Sequence, residues 1–397
     1  MKKIMLIALA AVLVVAFTAP AMAATKSVTF YGSARYMTYM TDVDKKASKT
    51  GYDDKDLTWS LDDGCTRFGA SFKAGKIEGL VEIRPRDRQS TRTRGMSVGG
   101  SMDFIRHWYG AYDFGPAKLL VGQWWTPDFS PVSREVMLGG GGFMDGYGDA
   151  GNTARAPGFQ IWVPLKSIDG MLKIGLLEPY KDPGPGDPAI GPTVFDSKEE
   201  MDTTLPKFTL GLSANFGALG IWVGGGYNTV KYVDSSDKEE SLDSWVAGLN
   251  LTYTMGPLYV KAHYDRNKNY STYGTGGPQV AFGLFPQDFG MGSIQDVTGW
   301  GFIGVLGFRF NEMISLEGGW GTREYKQDYL NDEIELNDVS AYYFMLPIQI
   351  AKGFTITPEV LITDEGKCKG PGSAPTGVTY GDRGSKKYYG AYWQIDF

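Results

Sequence analysis

The sequence predicts an all-β protein: a closed transmembrane antiparallel β-barrel of about 16 strands, with short turns at one rim and long loops at the other. Three observations carry that expectation. Apolar and polar residues alternate with period two through most of the chain, the pattern of a strand with one apolar face. The connections between alternating segments fall into two length classes rather than one. The composition, 54 Gly, 23 Tyr, 21 Phe and 10 Trp in 397 residues, is that of strands and tight turns. A helical membrane bundle would need repeated apolar runs of about 20 residues, and the sequence holds none. Abundant aromatic and β-branched residues oppose disorder.

Taken in chain order, residues 1–23 read as a secretory signal peptide. Lys2 and Lys3 form a basic start, 4–17 an apolar stretch too short to span a bilayer, and Ala21-Met22-Ala23 a small-x-small cleavage site. Residues 24–397 read as one barrel without a domain boundary. Phe208, Leu210, Leu212, Ala214 and Phe216 alternate with Lys207, Thr209, Gly211, Ser213 and Asn215. Trp245, Ala247, Leu249, Leu251 and Tyr253 do the same, and Tyr389, Ala391, Trp393, Ile395 and Phe397 form one face of the last strand. Short turns are expected at Gly75-Lys76, Gly115-Pro116, 167–170, 217–220, Gly256-Pro257, 311–313 and Lys352-Gly353. Longer connections rich in Gly, Pro and Asp are expected at 42–56, 88–100, 127–155, 181–204, 234–241, 268–296, 327–336 and 366–385. In a bilayer such a sheet must close, because an open edge would strand backbone polar groups in hydrocarbon. The polar face then points inward, and at this strand number the interior is wide enough for water.

Several segments resemble the general (trimeric) Gram-negative porin family. The mature chain opens on Val28-Thr29-Phe30-Tyr31-Gly32, like that family's first strand, and Thr66-Arg67-Phe68-Gly69 resembles its second. Arg106-His107-Trp108-Tyr109-Gly110-Ala111, Phe114-Gly115 and Gly122-Gln123-Trp124-Trp125-Thr126-Pro127 resemble a hairpin of the family, although Gln123 follows Gly122 without the family's Arg. The terminal Phe397 is similar to the aromatic of the outer-membrane assembly signal. The resemblance implies a homotrimer in the Gram-negative outer membrane, each barrel holding its own pore, in contact with lipid and lipopolysaccharide. It implies short turns on the periplasmic side and long loops outside.

It further implies that the third loop, about 126–155, folds inward and narrows the pore. That loop carries Asp128, Glu135, Asp145 and Asp149, with a glycine run at 139–142. Opposite it the resemblance places Arg67, Arg106 and Arg155, with Arg35 on the first strand. Strand parity adds to this: with Phe68, Phe72 and Ile83 facing lipid, Arg67, Lys73 and Arg84 face the lumen. By the same parity His107 faces outward beside Trp108. An acidic loop against a basic wall would set a transverse field across the constriction.

The function implied is a channel for passive diffusion of small hydrophilic solutes and ions, with no enzymatic turnover, cofactor or metal. Two other readings stand beside it. Arg84, Arg86, Arg88, Arg92 and Arg94, with Trp124 and Trp125, would suit a pore selective for phosphate or oligosaccharides. His263 and Asp265 on one strand face would be the only start toward a barrel phospholipase. Two His in the whole chain leave little room for metal or histidine chemistry, and 39 basic against 45 acidic residues argue against nucleic acid as a partner. Gly299-Trp300-Gly301-Phe302-Ile303-Gly304 has the spacing of a dinucleotide loop but continues as a strand. Export would permit a disulfide between Cys65 and Cys368, both in or beside external loops, or leave two free thiols. The acidic stretches 53–56, 199–202 and 237–240 are either solvated or divalent-cation sites bridging lipopolysaccharide.

Overall fold

A computed structural model describes residues 26–47, 54–62, 65–84, 105–138, 144, 146–148, 155–180, 200–203, 205–233, 239–270, 272–273, 295–329, 332–372 and 380–397. The signal segment, Arg86, Arg88, Arg92, Arg94, Asp145 and Asp149 lie outside them.

Sixteen barrel strands run in chain order. They are β1 (Lys26–Val43), β2 (Asp54–Leu61 resuming as Arg67–Ala74), β3 (Ile77–Ile83), β4 (Ile105–Asp113), β5 (Lys118–Trp125) and β6 (Arg155–Leu165). Next come β7 (Gly170–Leu177), β8 (Glu200–Asp202 and Lys207–Phe216), β9 (Leu219–Val233), β10 (Glu239–Met255) and β11 (Leu258–Lys268). The circuit ends with β12 (Val297–Arg309), β13 (Ser315–Tyr329), β14 (Asp332–Met345 and Ile348–Ala351), β15 (Phe354–Asp364 and Lys367–Lys369) and β16 (Gly381–Asp382 and Ser385–Asp396). Each strand pairs antiparallel with its sequence neighbour, and β1 closes on β16 in the register Ser33↔Asp396 to Val43↔Lys386. Below that seam Gly32 and Phe397 exchange both backbone hydrogen bonds, at 2.8 and 3.0 Å. Among the described residues the sheet closes on itself without a free lateral edge, so paired strands satisfy one another's backbone groups without water.

All seven expected short turns lie between consecutive strands. Several of the expected long loops are shorter than the sequence suggested. β13 runs to Tyr329 and β14 resumes at Asp332, while β9 and β10 leave only 234–238 between them. Opposite charges face each other across these extensions: Lys326 holds Glu333 and Glu335 at 2.8 and 2.9 Å, and Lys231 holds Glu239 at 2.9 Å. Cross-strand charge pairs make polar residues good strand residues outside the bilayer, which a polarity reading takes for loop.

The apolar faces point outward. Phe30, Trp59, Trp108, Leu306, Phe344 and Ile395 are exposed, while Thr209, Gln160, Asp265, Glu317 and Arg323 at inward positions on other strands are buried. Such an exterior requires hydrocarbon around it, since a water-soluble protein rarely shows apolar patches of this extent.

Candidate functional site: an inward loop and an arginine-lined wall

After β5 the chain turns into the barrel. Its first residues occupy room that only glycine leaves: a Cβ on Gly211 would overlap the carbonyl oxygen of Pro127, and one on Gly175 would press on the Pro127 ring. From there alternate residues of an extended segment bond in turn to successive strands. Asp128 accepts from Tyr273 Oη at 2.5 Å, the Ser130 carbonyl from Asn250 Nδ2 on β10 at 2.5 Å, and the Val132 carbonyl from Lys261 Nζ on β11 at 2.8 Å. Arg134 donates its backbone N–H and its Nε to the two oxygens of Glu317 on β13, both at 2.9 Å, and Nη2 to Tyr259 Oη at 2.6 Å. Val136 N–H reaches Glu359 Oε2 on β15 at 3.2 Å, and Tyr147 Oη reaches Glu365 Oε1 at 2.8 Å. The loop therefore crosses the inner wall from β8 to β15.

Glu317 is the main anchor. It is fully buried, and besides Arg134 it accepts from Tyr259 Oη at 2.6 Å and Tyr343 Oη at 2.7 Å, with Lys261 Nζ at 3.9 Å. Such a charge survives burial because four groups complete its coordination. Glu135 is the second anchor and is likewise fully buried, accepting from the backbone N–H groups of Met137, Leu138 (2.6 Å) and Met144 (3.2 Å). Burial raises its carboxyl above the ordinary range, against the pull of those N–H donors and of Glu359 beside it.

A second inward segment clasps the loop. Tyr273, past the end of β11, bonds Asp128, and its carbonyl accepts from Lys207 Nζ at 2.7 Å. Asn228 Nδ2 donates to the Thr272 carbonyl at 3.1 Å. Nearby, Arg323 grips Asp265 through two bonds of 3.0 and 2.7 Å, with His263 Nε2 at 3.3 Å from the same carboxylate. His263 Nδ1 contacts Asn250 Oδ1. The His263–Asp265 pair is thus held by a guanidinium and an amide.

Facing this packed half, the wall of β1 to β6 gathers the predicted arginines. Glu82 on β3, which sequence reading passed over, is their hub. Arg106 Nε meets Glu82 Oε1 at 2.6 Å, Arg67 Nε meets Oε2 at 3.6 Å, Tyr31 Oη donates to Oε2 at 2.8 Å, and His107 Nε2 lies 3.7 Å away. Arg155 lies over the Trp125 ring at 4.9 Å and has Arg106 and Arg84 as its like-charged neighbours. Arg35 donates to Ser33 Oγ at 2.9 Å and shares its surroundings with Asp62, Tyr392 and Cys65.

Two expectations are corrected here, and an alternative left open for the cysteines is decided. Asp128 and Glu135 do not face the arginines; both are buried against the opposite wall, where they hold the loop rather than charge the passage. His107 points inward, packed on Trp124 with ring centroids 4.2 Å apart, while Trp108 faces out. A bulge explains it: Glu82 pairs with His107 and Ile83 with Ile105, leaving Arg106 as an extra residue and turning both Arg106 and His107 to the lumen. Cys65 and Cys368 are buried free thiols. Cys65 sits in the mid-wall break of β2 beside Arg35, which pairs with Gln394 and through it with Thr355; Cys368 lies 13 residues farther up that strand. That is roughly 40 Å at about 3.3 Å per residue, far beyond disulfide reach.

No family model matches the chain, and no curated protein matches it. Solved structures do. The fold is similar to the outer membrane channel DcaP of Acinetobacter baumannii at 15% identity and a TM-score of 0.62, over 94% of this chain and 97% of that one. It is similar to the anion-selective porin from Comamonas acidovorans at 12% identity and a TM-score of 0.59, over 94% and 100%. A third similar structure is the trimer form of OmpT, an outer membrane protein of Vibrio cholerae, at 16% identity and a TM-score of 0.56, over 94% and 100%. The chain shares with these structures the fold of a closed 16-stranded antiparallel β-barrel.

Proposed function

We propose that the chain is an outer-membrane porin, a water-filled channel for passive diffusion of small hydrophilic solutes and ions. The observation that supports this best is the division of the interior. Loop 126–138 is strapped to the β8–β15 half, and the half it leaves is lined by Arg35, Arg67, Arg84, Arg106 and Arg155 around Glu82 and Asp62. A passage narrowed by a fixed loop and walled on one side by excess positive charge admits water and favours anions over cations. A trimer is proposed with it, since one of the similar structures is a trimer, along with lipopolysaccharide around the external rim.

Swelling of liposomes carrying the purified protein tests the reading. Entry rates should fall smoothly with the size of uncharged sugars and should not saturate with concentration. Liposomes that shrink and stay shrunken in every sugar, with the barrel folded, would overturn it.

A further inference from the structure

The arginine cluster is continuous with a cluster of rings. Trp124 packs on His107 at 4.2 Å and edge-on to Tyr109 at 4.9 Å. Trp125 lies 5.3 Å from His107 and stacks on Phe129 at 4.5 Å with planes 8° apart. His107 and Arg106 share Glu82, and Arg155 lies over Trp125, so guanidinium groups and indole rings border the same volume.

Two features of this volume point to a ligand. Arg106 is 97% buried, Glu82 takes its Nε, and its Nη1 has no hydrogen-bond partner. The Nη1 of Arg155 is buried and unpartnered as well. Buried guanidinium donors are almost always satisfied, and their planar forks match a carboxylate. Beside them Trp124, Trp125 and Phe129 are only half-buried.

We propose that Arg106, Arg155 and Trp124 form a binding subsite for a planar aromatic carboxylate, of which benzoate is the simplest probe. The carboxylate takes the two open Nη1 donors, and the ring lies against the indole. Phosphate would satisfy the guanidinium groups but leave the rings wet. A sugar could stack on the rings but would leave buried cationic donors facing neutral hydroxyls. This subsite deepens the channel reading and rests on it only for how the ligand arrives.

Titration calorimetry on the folded, detergent-solubilised protein tests it with three probes: benzoate, acetate (the charge without the ring) and benzyl alcohol (the ring without the charge). Benzoate should bind saturably and at least about tenfold more tightly than either. Arg155→Gln and Trp124→Leu should each weaken benzoate by about fivefold or more, leaving acetate nearly unchanged for the tryptophan variant. Acetate as tight as benzoate would mean general anion attraction, and benzyl alcohol as tight would mean apolar partition; either overturns the proposal, as does absence of saturation. If a variant fails to fold, as judged by heat-modifiable mobility, the three-probe comparison on the natural protein decides. Failure of benzoate binding with KCl conductance intact sinks the subsite alone. Benzoate binding in a protein that conducts nothing sinks the channel reading alone.

Discussion

Replacing Glu317 with Ala separates the loop's anchorage from the barrel's own stability. The substitution removes the two carboxylate oxygens that accept from Arg134 N–H and Nε, and the acceptor of Tyr259 Oη and Tyr343 Oη, while Arg134 Nη2 keeps Tyr259 Oη. Breaking a buried ion pair costs about 3–5 kcal/mol when both partners are desolvated. Here the Arg134 side chain is 43% exposed and water can take over part of its hydrogen bonding, so about 2 kcal/mol is the fitting figure. The barrel wall keeps every backbone bond between β12, β13 and β14, so the loss should fall on the loop. Where reclosing is faster than exchange, about 2 kcal/mol raises amide exchange about 30-fold. Hydrogen exchange read by mass spectrometry on peptides covering 132–138 should show that rise, with the β13 and β14 amides unchanged. Exchange within about twofold of the natural protein in 132–138 would refute the anchoring role. So would a matching rise in the strands, because Glu317 would then be holding the wall and not the loop.

Four further outcomes follow from the same geometry. Gly211→Val places a side chain where Pro127 sits, and single-channel recording should show a conductance altered by displacement of the loop from the wall. Glu135 has a raised titration, so the folded state holds its proton to higher pH than the unfolded chain does; stability linked to it falls as pH rises between those two values. Protection of the amides at 132–138, corrected for the intrinsic pH dependence of exchange, should therefore fall with rising pH, and Glu135→Gln should remove that dependence. Because the thiols are free and buried, Cys65 and Cys368 should resist alkylation until the barrel is unfolded, and reductant should leave the folded band's mobility unchanged on gels. Deleting Phe397 removes the two backbone bonds that close the seam at Gly32, and should lower the yield of heat-modifiable barrel on refolding.

Much of the fold was legible because alternation and turn chemistry are local. Gly75, Gly217, Gly256 and Gly353 each adopt positive φ in the short turns, which is why turn residues marked the strand ends so well. Parity failed where the sheet departs from strict pairing. The bulge at Arg106 reversed His107, and the break at Asp62 to Thr66 moved Cys65 from a supposed loop to mid-wall. Bulges leave no period in the sequence, so an alternating reading carries straight through them. The site was half-readable for a different reason. Arg35, Arg67, Arg84, Arg106 and Arg155 lie on or beside β1–β6, but Glu82, Glu317 and Glu359 look like any lumenal polar residue until a folded chain shows which carboxylates it needs. The acids of the loop carried a similar ambiguity: an acidic residue in an inward loop can face the passage or fasten the loop, and Asp128 and Glu135 fasten it.

Planar-bilayer current under a KCl gradient tests the central claim most directly. The account predicts stepwise, ohmic conductance with a reversal potential of the sign for chloride preference, moving toward zero when Arg67 and Arg155 are replaced by Gln. A silent bilayer from folded, heat-modifiable protein, or a reversal potential of cation sign that those replacements do not change, would contradict it.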